Sequence, residues 1–319
     1  MASRRHSAVV DRPSSLRGWA VFISGFGILR LARAFASAAV LLGAACRPAA
    51  SAGATATAVD DAGDTVRLAT VPRRIVSLIP ATTELLFAIG AGPALVGRTQ
   101  WCDYPAAALK VPNLGDGINP SVEAVLASRP DLVILYNSAQ NAAIAGRLRT
   151  LGIATIRLNT DALRDVARVG RLLGRLTGHV AGADSMAAAF DTALAHATVT
   201  TAGKRPSVLL LVWEQPPMTI GSGSFLNELV ERAGGANLFE DLSATAGTVS
   251  IEAVAARDPD LILTTTAGPA AFARRPEWQV VRAVRARRFL PVTGSEFNRP
   301  SPRAPAAIRE LTRKLREAA

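Results

Sequence analysis

Aromatic side chains recur in loops that follow predicted β-strands, and one arginine accompanies them. In an α/β sheet, ligands bind beyond the carboxyl ends of the strands. Flat rings and one guanidinium would suit a large ligand with apolar faces and anionic edges. Each ring taken singly is more often a core residue, but their shared placement after strands favours a binding site. The predicted ligand-binding set is Trp101, Tyr104, Tyr136, Trp213, Phe297 and Arg299.

Residues for metal binding or catalysis are scarce. The chain has three His and two Cys; His6 lies near the N-terminus, and His179 and His196 lie in one predicted helical region. First-row metal sites usually need several such ligands, so no metal site is predicted. No Ser/His/Asp set is credible, and Gly221–Ser224 lacks the Lys and spacing of a phosphate-binding loop. The sequence argues against an enzyme, and no cofactor is predicted apart from the bound ligand.

A sequence repeat places one glutamate at the start of a short helix in each half of the chain. The first copy reads N-P-S-V-E-A-V-L-A-S-R-P-D-L-V-I-L and the second reads T-V-S-I-E-A-V-A-A-R-D-P-D-L-I-L. In both, Ser is the predicted N-cap, Glu lies in the first turn, and Pro ends the helix before a buried strand. Glu123 aligns with Glu252. The repeat indicates two similar lobes.

The elements that position these residues alternate between strand and helix, which is typical of a parallel α/β sheet. Residues 59–160 are predicted to form an N-terminal lobe and residues 204–319 a C-terminal lobe. Residues 161–203 show no strand pattern and predict linker helices over Asp161–Leu176 and Val180–Ala197. An ordinary crossover helix within a single sheet is the alternative. The predicted fold class is α/β, with two parallel-sheet lobes joined by a single long helix and a ligand cleft between them.

The first 46 residues have the features of an export signal. Arg30 and Arg33 precede the apolar run Ala34–Ala45, and Cys46 follows it, as in a bacterial lipobox. The run is shorter than the roughly 20 residues that a membrane-spanning helix needs. A span over Val21–Leu42, interrupted by two Arg, is the alternative. We predict a signal peptide over residues 1–46, lipidation of Cys46, a tether over residues 47–58, and a periplasmic or other extracytoplasmic, lipid-anchored location.

The formal net charge of +11 does not indicate a nucleic-acid partner. The first 46 residues contain six Arg and one Asp, which is a net charge of +5, so +6 remains without the leader. Basic motifs interleaved with aromatic residues, which many RNA binders use, are absent. No nucleic-acid partner is predicted.

Several motifs in order along the chain carry a family resemblance. They read R-I-V-S-L-I-P-A-T-T-E-L-L-F-A-I-G, W-C-D-Y-P, the S-V-E-A-V…P-D-L-V-I repeat, G-G-A-N-L-F and R-P-S-P-R. From about Val59 onward the chain resembles the periplasmic solute-binding proteins of vitamin B12 and ferric siderophore importers, and most of all their B12-binding branch. The resemblance implies a monomer that holds a corrinoid or iron chelate between two lobes and delivers it to an ABC permease dimer. It also implies that Glu123 and Glu252 pair with permease arginines.

The resemblance extends only partly to the pocket. Tyr104 matches the family's aspartate–tyrosine–proline loop, and Arg299 matches its late arginine. Tyr136 stands where the B12 binder has a tryptophan, and small residues at Gly115–Gly117 and Ala246 stand where it has two more. A ferric siderophore or haem therefore stays open as the ligand. Two other classes also stay open: an enzyme on the same scaffold and a ligand-sensing module for a membrane receptor.

Overall fold

The computed structural model describes residues 56–200, 203–265 and 271–318. The predicted signal peptide, Cys46 and most of the predicted tether lie outside these residues. In the described part of the chain, no helix is both long and apolar enough to cross a bilayer.

An antiparallel hairpin is the first described element of the N-terminal lobe. Its strands are β1 (Ala56–Val59) and β2 (Thr65–Leu68), so residues 56–58 of the predicted tether belong to a strand. The Asp60 carboxylate accepts hydrogen bonds from the amides of Ala62 and Asp64 across the turn. Gly63 takes a φ of +85°, a conformation that glycine adopts without a steric penalty.

Four parallel strands form the sheet of this lobe, as predicted. The elements in chain order are β3 (Ile75–Ser77), α1 (Pro80–Ala88), β4 (Leu95–Arg98), α2 (Val122–Ala127), β5 (Leu132–Tyr136), α3 (Ala139–Thr150) and β6 (Ala154–Leu158). The strand order is β4-β3-β5-β6, and every pair is parallel. The first four residues of β5 are all buried, which is the pattern of a strand covered on both faces.

Two linker helices lie between the sheets of the two lobes, as predicted. They are α4 (Leu163–Thr177) and α5 (Val180–Ala197), and Gly178, with a φ of +73°, ends the first. Helix α4 packs on α1 and β1, so it belongs to the N-terminal lobe. Helix α5 packs on α4 and on the last helix of the chain, and so leads to the C-terminal lobe. Helix α5 is therefore the single long helix that connects the lobes, as predicted.

The C-terminal lobe repeats the alternation of strands and helices. Its elements are β7 (Ser207–Glu214), β8 (Pro217–Ile220), α6 (Phe225–Arg232), β9 (Ala236–Asn237), β10 (Ala246–Thr248), α7 (Ile251–Arg257), β11 (Leu261–Thr264), α8 (Arg282–Arg285), β12 (Phe289–Pro291) and α9 (Ala304–Ala318). One apolar cluster contains residues from both lobes and both linker helices, so the lobes are packed together through α4 and α5.

The sheet of the C-terminal lobe is mixed, which corrects the prediction of a purely parallel one. Strands β9, β7, β11 and β12 are parallel, whereas β8 pairs antiparallel with both β7 and β10. Glu214 pairs with Pro217, so only two residues separate β7 from β8. A two-residue connection can join only antiparallel strands, because a parallel pair needs a crossover of a dozen or more residues.

The sequence also predicts one helix over Pro276–Val284, and the structure differs there. A 3₁₀ segment over Pro276–Val280 precedes α8, and Val281 between them is extended. The fully buried Trp278 ring lies 4.6 Å from the Phe272 ring, measured between centroids. We attribute the difference to this packing, which overrides local helix propensity.

Candidate functional site

A cleft of about 760 Å³ lies between the two lobes. On the N-terminal side, its wall consists of residues at or just after the carboxyl ends of β3, β4, β5 and β6, as the α/β topology predicts. On the C-terminal side, β7, β8, the start of α6 and the segment after β12 complete the wall. The predicted cleft between lobes is confirmed.

Four of the six predicted ligand-binding residues line this cleft: Trp101, Tyr136, Phe297 and Arg299. Trp101 is 57% exposed and Tyr136 is 38% exposed, whereas Phe297 is 5% exposed. Large exposed rings are unusual on a protein surface outside binding sites. Two rings from the N-terminal lobe therefore present apolar faces to the space between the lobes.

Trp213 lies beside the cleft rather than in it. It lines a second pocket of about 390 Å³, and this pocket shares Val212 and Thr265 with the cleft. Its indole N–H donates a hydrogen bond to the carbonyl oxygen of Gln215 at 2.9 Å, and the residue is 61% exposed. Trp213 can therefore meet only a ligand that extends past the end of β7.

Tyr136 presents an un-ionised phenol to the cleft. Burial raises its pKa to about 12, and the hydrogen bond from its hydroxyl to Asp161 Oδ1, 2.9 Å long, acts in the same direction. A phenolate is thus disfavoured at neutral pH. The ring face, and not a charged oxygen, is what Tyr136 offers to a ligand.

A buried glutamate connects the two lobes at the edge of the cleft. The Glu84 side chain, on α1, is 2% exposed and accepts hydrogen bonds from two arginines of the C-terminal lobe. Arg299 Nε lies 2.7 Å from Glu84 Oε1, and Arg303 donates through Nε to Oε2 at 2.8 Å and through Nη2 to Oε1 at 2.6 Å. Charge-assisted, bidentate contacts of this kind are among the strongest hydrogen bonds in proteins.

Arg299 is occupied on its other nitrogens as well. Its Nη1 donates to the carbonyl oxygen of Trp101 at 2.8 Å, and its Nη2 pairs with the Asp103 carboxylate. Burial alone would raise the pKa of Asp103, but the hydrogen bond and positive charge of Arg299 outweigh it and hold this pKa below its usual value. At the border of the cleft, each of the three guanidinium nitrogens of Arg299 therefore already holds one partner within the protein.

Tyr104 does not line the cleft, and its ring packs against Arg303 instead. The guanidinium carbon lies 4.3 Å from the centre of the Tyr104 ring, within the range of a cation–π contact. Arg303 also pairs with Glu296 at 2.6 Å. We call this group the inter-lobe ion cluster; it consists of Glu84, Asp103, Glu296, Arg299 and Arg303.

Sequence reasoning did not single out most of this cluster. Glu84 stands in the T-T-E-L-L motif, Asp103 in W-C-D-Y-P and Arg303 in R-P-S-P-R, so the motifs contained the signal. A glutamate in the middle of an apolar helix, with Leu85 and Leu86 buried beside it, is the one local hint of a buried ion pair. Its partners are more than 200 positions away, so no local pattern could identify them.

Glu123 and Glu252 occupy matching positions in the two lobes. The hydroxyls of Ser121 and Ser250 each accept a hydrogen bond, 3.1 Å long, from the amide three residues on, which confirms both predicted N-caps. Both glutamates are exposed. Their pKa values are lowered, first by a hydrogen bond from their own backbone amides and then by one from the capping serine. Each lobe thus displays one ionised carboxylate on its surface.

No group of three or more His, Cys, Asp or Glu side chains that could hold a metal ion occurs in residues 56–200, 203–265 and 271–318. The buried Cys102 thiol is free, and Thr83 donates a hydrogen bond to its sulfur at 3.1 Å.

A family model described as periplasmic binding protein matches residues 75–292. The chain belongs to this family. The match extends from β3 to the end of β12, so it includes both lobes and the linker helices. The family indicated by the sequence motifs is confirmed.

Two relatives of this periplasmic binding protein are similar over most of its length. YvrC of Bacillus subtilis, named an uncharacterized ABC transporter substrate-binding lipoprotein, is 28% identical over 267 residues, 81% of this chain and 84% of the relative. The vitamin B12-binding protein of Vibrio cholerae is 27% identical over 245 residues, 76% of this chain and 89% of the relative.

The fold is shared with solved structures of the family. The periplasmic heme-binding protein RhuT of Roseiflexus sp. RS-1, in its apo form, aligns with a TM-score of 0.69 at 25% identity. The alignment covers 77% of this chain and 98% of RhuT. The predicted two-lobed α/β architecture is therefore confirmed.

Proposed function

We propose that this periplasmic binding protein is the substrate-binding component of an ABC importer and captures a corrinoid or an iron chelate. The observation that carries the proposal is the cleft of about 760 Å³ with Trp101 and Tyr136 exposed on its wall. A concave, mainly apolar site with a few polar groups suits a large flat ligand. The names of the Bacillus subtilis and Vibrio cholerae relatives support transport of such a solute.

The ligand would bring its metal already chelated. The Tyr136 hydroxyl is already hydrogen-bonded to Asp161 Oδ1. The described residues also provide no cluster of carboxylate, imidazole and thiol groups for a bare ion. Recognition would then depend on ring faces that contact the periphery of the chelate.

Of the two ligand classes, the iron chelates (haem or a ferric siderophore) are the alternative to a corrinoid. The shape of the wall near Gly117 favours them. A Cβ atom at Gly117 would lie 2.5 Å from Thr99 Cγ2 and 2.8 Å from the Leu78 carbonyl oxygen, so a large side chain does not fit there. A pocket of about 350 Å³ lies beside it, bordered by Trp101 and Tyr136. A B12 pocket with a tryptophan at this position would be shaped differently. The haem-binding name of RhuT also supports this candidate.

A ligand titration tests the proposal. Purified mature protein is titrated with cobalamin, cobinamide, haem and ferric siderophores while tryptophan fluorescence is followed. We expect one of these chelates to quench the fluorescence, and Trp101→Ala to weaken its binding by roughly tenfold, because losing one buried, stacked ring costs on the order of 1–2 kcal/mol. Trp213→Ala, outside the cleft, is the control and should change affinity less. Tight binding of free zinc or manganese, with no binding of any chelate, would contradict the proposal.

Two further roles belong to the same proposal. Glu123 and Glu252 would dock the lobes onto arginines of a permease dimer, since exposed carboxylates can form bidentate pairs with guanidinium groups. Cys46 would carry a lipid anchor that keeps the protein at the outer face of the cytoplasmic membrane. The mass of the mature N-terminal peptide tests the anchor: an intact leader, or cleavage well beyond Cys46, would exclude it.

A further inference from the structure

The inter-lobe ion cluster joins the lobes through a carboxylate that is almost completely removed from water. Glu84 is 2% exposed, and Arg299 and Arg303 are 11% and 16% exposed, all as side chains. A buried carboxylate that loses its cationic partners pays a large desolvation cost. Both arginines follow β12 in the C-terminal lobe, while Glu84 lies on α1 of the N-terminal lobe. Moving the lobes apart here would separate these charges.

The same two arginines also hold the loop over residues 101–104, which we call the Trp101 loop. Arg299 binds the backbone carbonyl of Trp101 and the carboxylate of Asp103, and Arg303 covers the ring of Tyr104. The loop therefore has contacts to the opposite lobe at three of its four residues. Because Trp101 is exposed, its ring is oriented by these contacts together with the hydrogen bond that its amide donates to the Thr99 hydroxyl.

We infer that Glu84 is a positioning residue for ligand binding: through Arg299 and Arg303 it holds the Trp101 loop over the cleft and fixes the spacing of the lobes. This inference rests on the proposed function for the identity of the ligand but not for the position of the loop. Trp101 lines the cleft, so freeing its loop would weaken a contact that holds the bound ligand. The cluster therefore controls mainly the rate of ligand dissociation.

The duplicated architecture supplies a matched control residue. Glu228 on α6 stands in an E-L-V motif that parallels E-L-L at Glu84, and Gly90 and Gly234 after the two helices share a φ of +92°. Burial raises the pKa of Glu228, and the Leu163 amide and Arg232 only partly oppose this shift. The ion pairs of the described residues include Arg299 and Arg303 with Glu84 but none with Glu228. Glu84 and Glu228 thus share a place in the helix but not a pair of arginines.

The test compares Glu84→Gln with Glu228→Gln in the full mature protein, well below either melting temperature. Dissociation of cobalamin and haem is followed by stopped-flow fluorescence, and amide hydrogen exchange is followed in the peptide containing residues 99–105. We expect Glu84→Gln to speed dissociation about tenfold, to change association less than threefold and to speed exchange in this peptide. Glu228→Gln should leave all three rates within twofold of the wild type.

Several outcomes would decide against the inference. If Glu84→Gln only lowers the melting temperature, while dissociation and loop exchange match the wild type, Glu84 is merely structural.

If Glu84→Gln does not fold, Asp103→Asn replaces it, since Asp103 is 49% exposed and pairs only with Arg299 within the cluster. It should speed loop exchange in the same direction by a smaller factor, and an unchanged rate would overturn the inference. If the wild type binds neither probe and no ferric siderophore, the proposed function fails, and exchange in the ligand-free protein still decides the role of Glu84.

Discussion

Single residues at the cleft have their polar ends tied within the protein and leave apolar faces free. The Tyr136 hydroxyl binds Asp161, and the nitrogens of Arg299 bind Glu84, Asp103 and the carbonyl of Trp101. Side chains held in this way lose little freedom when a ligand arrives, which favours affinity through pre-organisation. A ligand with extended apolar faces gains most from such a site.

The ionisation of Tyr136 is directly testable because the chain has only two tyrosines, Tyr104 and Tyr136. The pKa of Tyr136 is raised to about 12, above the ordinary value of 10.0. A raised pKa means that the neutral phenol is the form the fold stabilises; this stability is complete below pH 10 and is lost as the pH rises through about 12. We expect Tyr136→Phe to leave the ultraviolet tyrosinate titration unchanged up to about pH 11. A variant that loses half of the absorbance change below that pH would show an ordinary phenol instead.

At the level of elements, close packing of the linker helices keeps the lobes in register. Gly170 and Gly174 on α4 face α5. A Cβ atom at Gly170 would lie 2.2 Å from Met186 Cε, and one at Gly174 would lie 2.4 Å from Ala183 Cβ. Gly182 on α5 faces the residue after α1, and its Cβ would lie 2.4 Å from the Ile89 carbonyl oxygen. The hairpin of α4 and α5 therefore rests on the N-terminal lobe through backbone contacts that have little freedom to adjust.

A pair of glycine substitutions tests this packing. Alanine is favoured over glycine within a helix by roughly 0.5–1 kcal/mol, so Gly146→Ala on α3, with nothing within 4 Å of its Cβ, should raise stability by that amount. Gly182→Ala has the same helix gain but meets a backbone oxygen, so we expect a net loss of about 1–3 kcal/mol. Urea denaturation of both variants measures the difference. Equal stabilisation by the two substitutions would show that α5 is not packed this closely.

At the level of the whole molecule, the two lobes place equivalent groups at equivalent points. Arg129 and Asp258, at the ends of α2 and α7, have φ values of 46° and 45°. Asp131 and Asp260 then bind the amides at or before the starts of the central strands β3 and β7. The repeat thus preserves helix ends, strand starts and the placement of Glu123 and Glu252. A permease that contacts both lobes would meet one carboxylate from each.

Uptake measurements can separate docking from local helix stabilisation. We expect Glu123→Ala combined with Glu252→Ala to reduce uptake at least tenfold, with ligand affinity and melting temperature nearly unchanged, because both carboxylates are exposed. The control combines Ser121→Ala with Ser250→Ala, which removes the caps, costs about 1 kcal/mol each and keeps the carboxylates. This control should melt lower and still support uptake. If the glutamate double variant still supports uptake, a docking role for Glu123 and Glu252 is excluded.

The family motifs, the α/β alternation and the N-caps could be predicted from the sequence because each depends on contacts a few residues apart. Ser121 caps the amide of Ala124, and the buried run in β5 follows from apolar residues alone. Candidate ring positions followed from one topological rule, which places loops at the carboxyl ends of strands. That rule located Trp101 and Tyr136 at the cleft correctly.

Tertiary structure alone decided which candidate residues line the cleft and which are held by contacts within the protein. Periodicity cannot show that Arg299 and Arg303 meet Glu84, or that Tyr104 lies under Arg303, since these contacts join residues some 200 positions apart. It also cannot show which linker helix reaches the second lobe, because both α4 and α5 have apolar positions to bury and only the packed partner distinguishes them. Sequence alone determined local elements and family membership, whereas the arrangement of charges between the lobes arises only when distant segments pack together and exclude water.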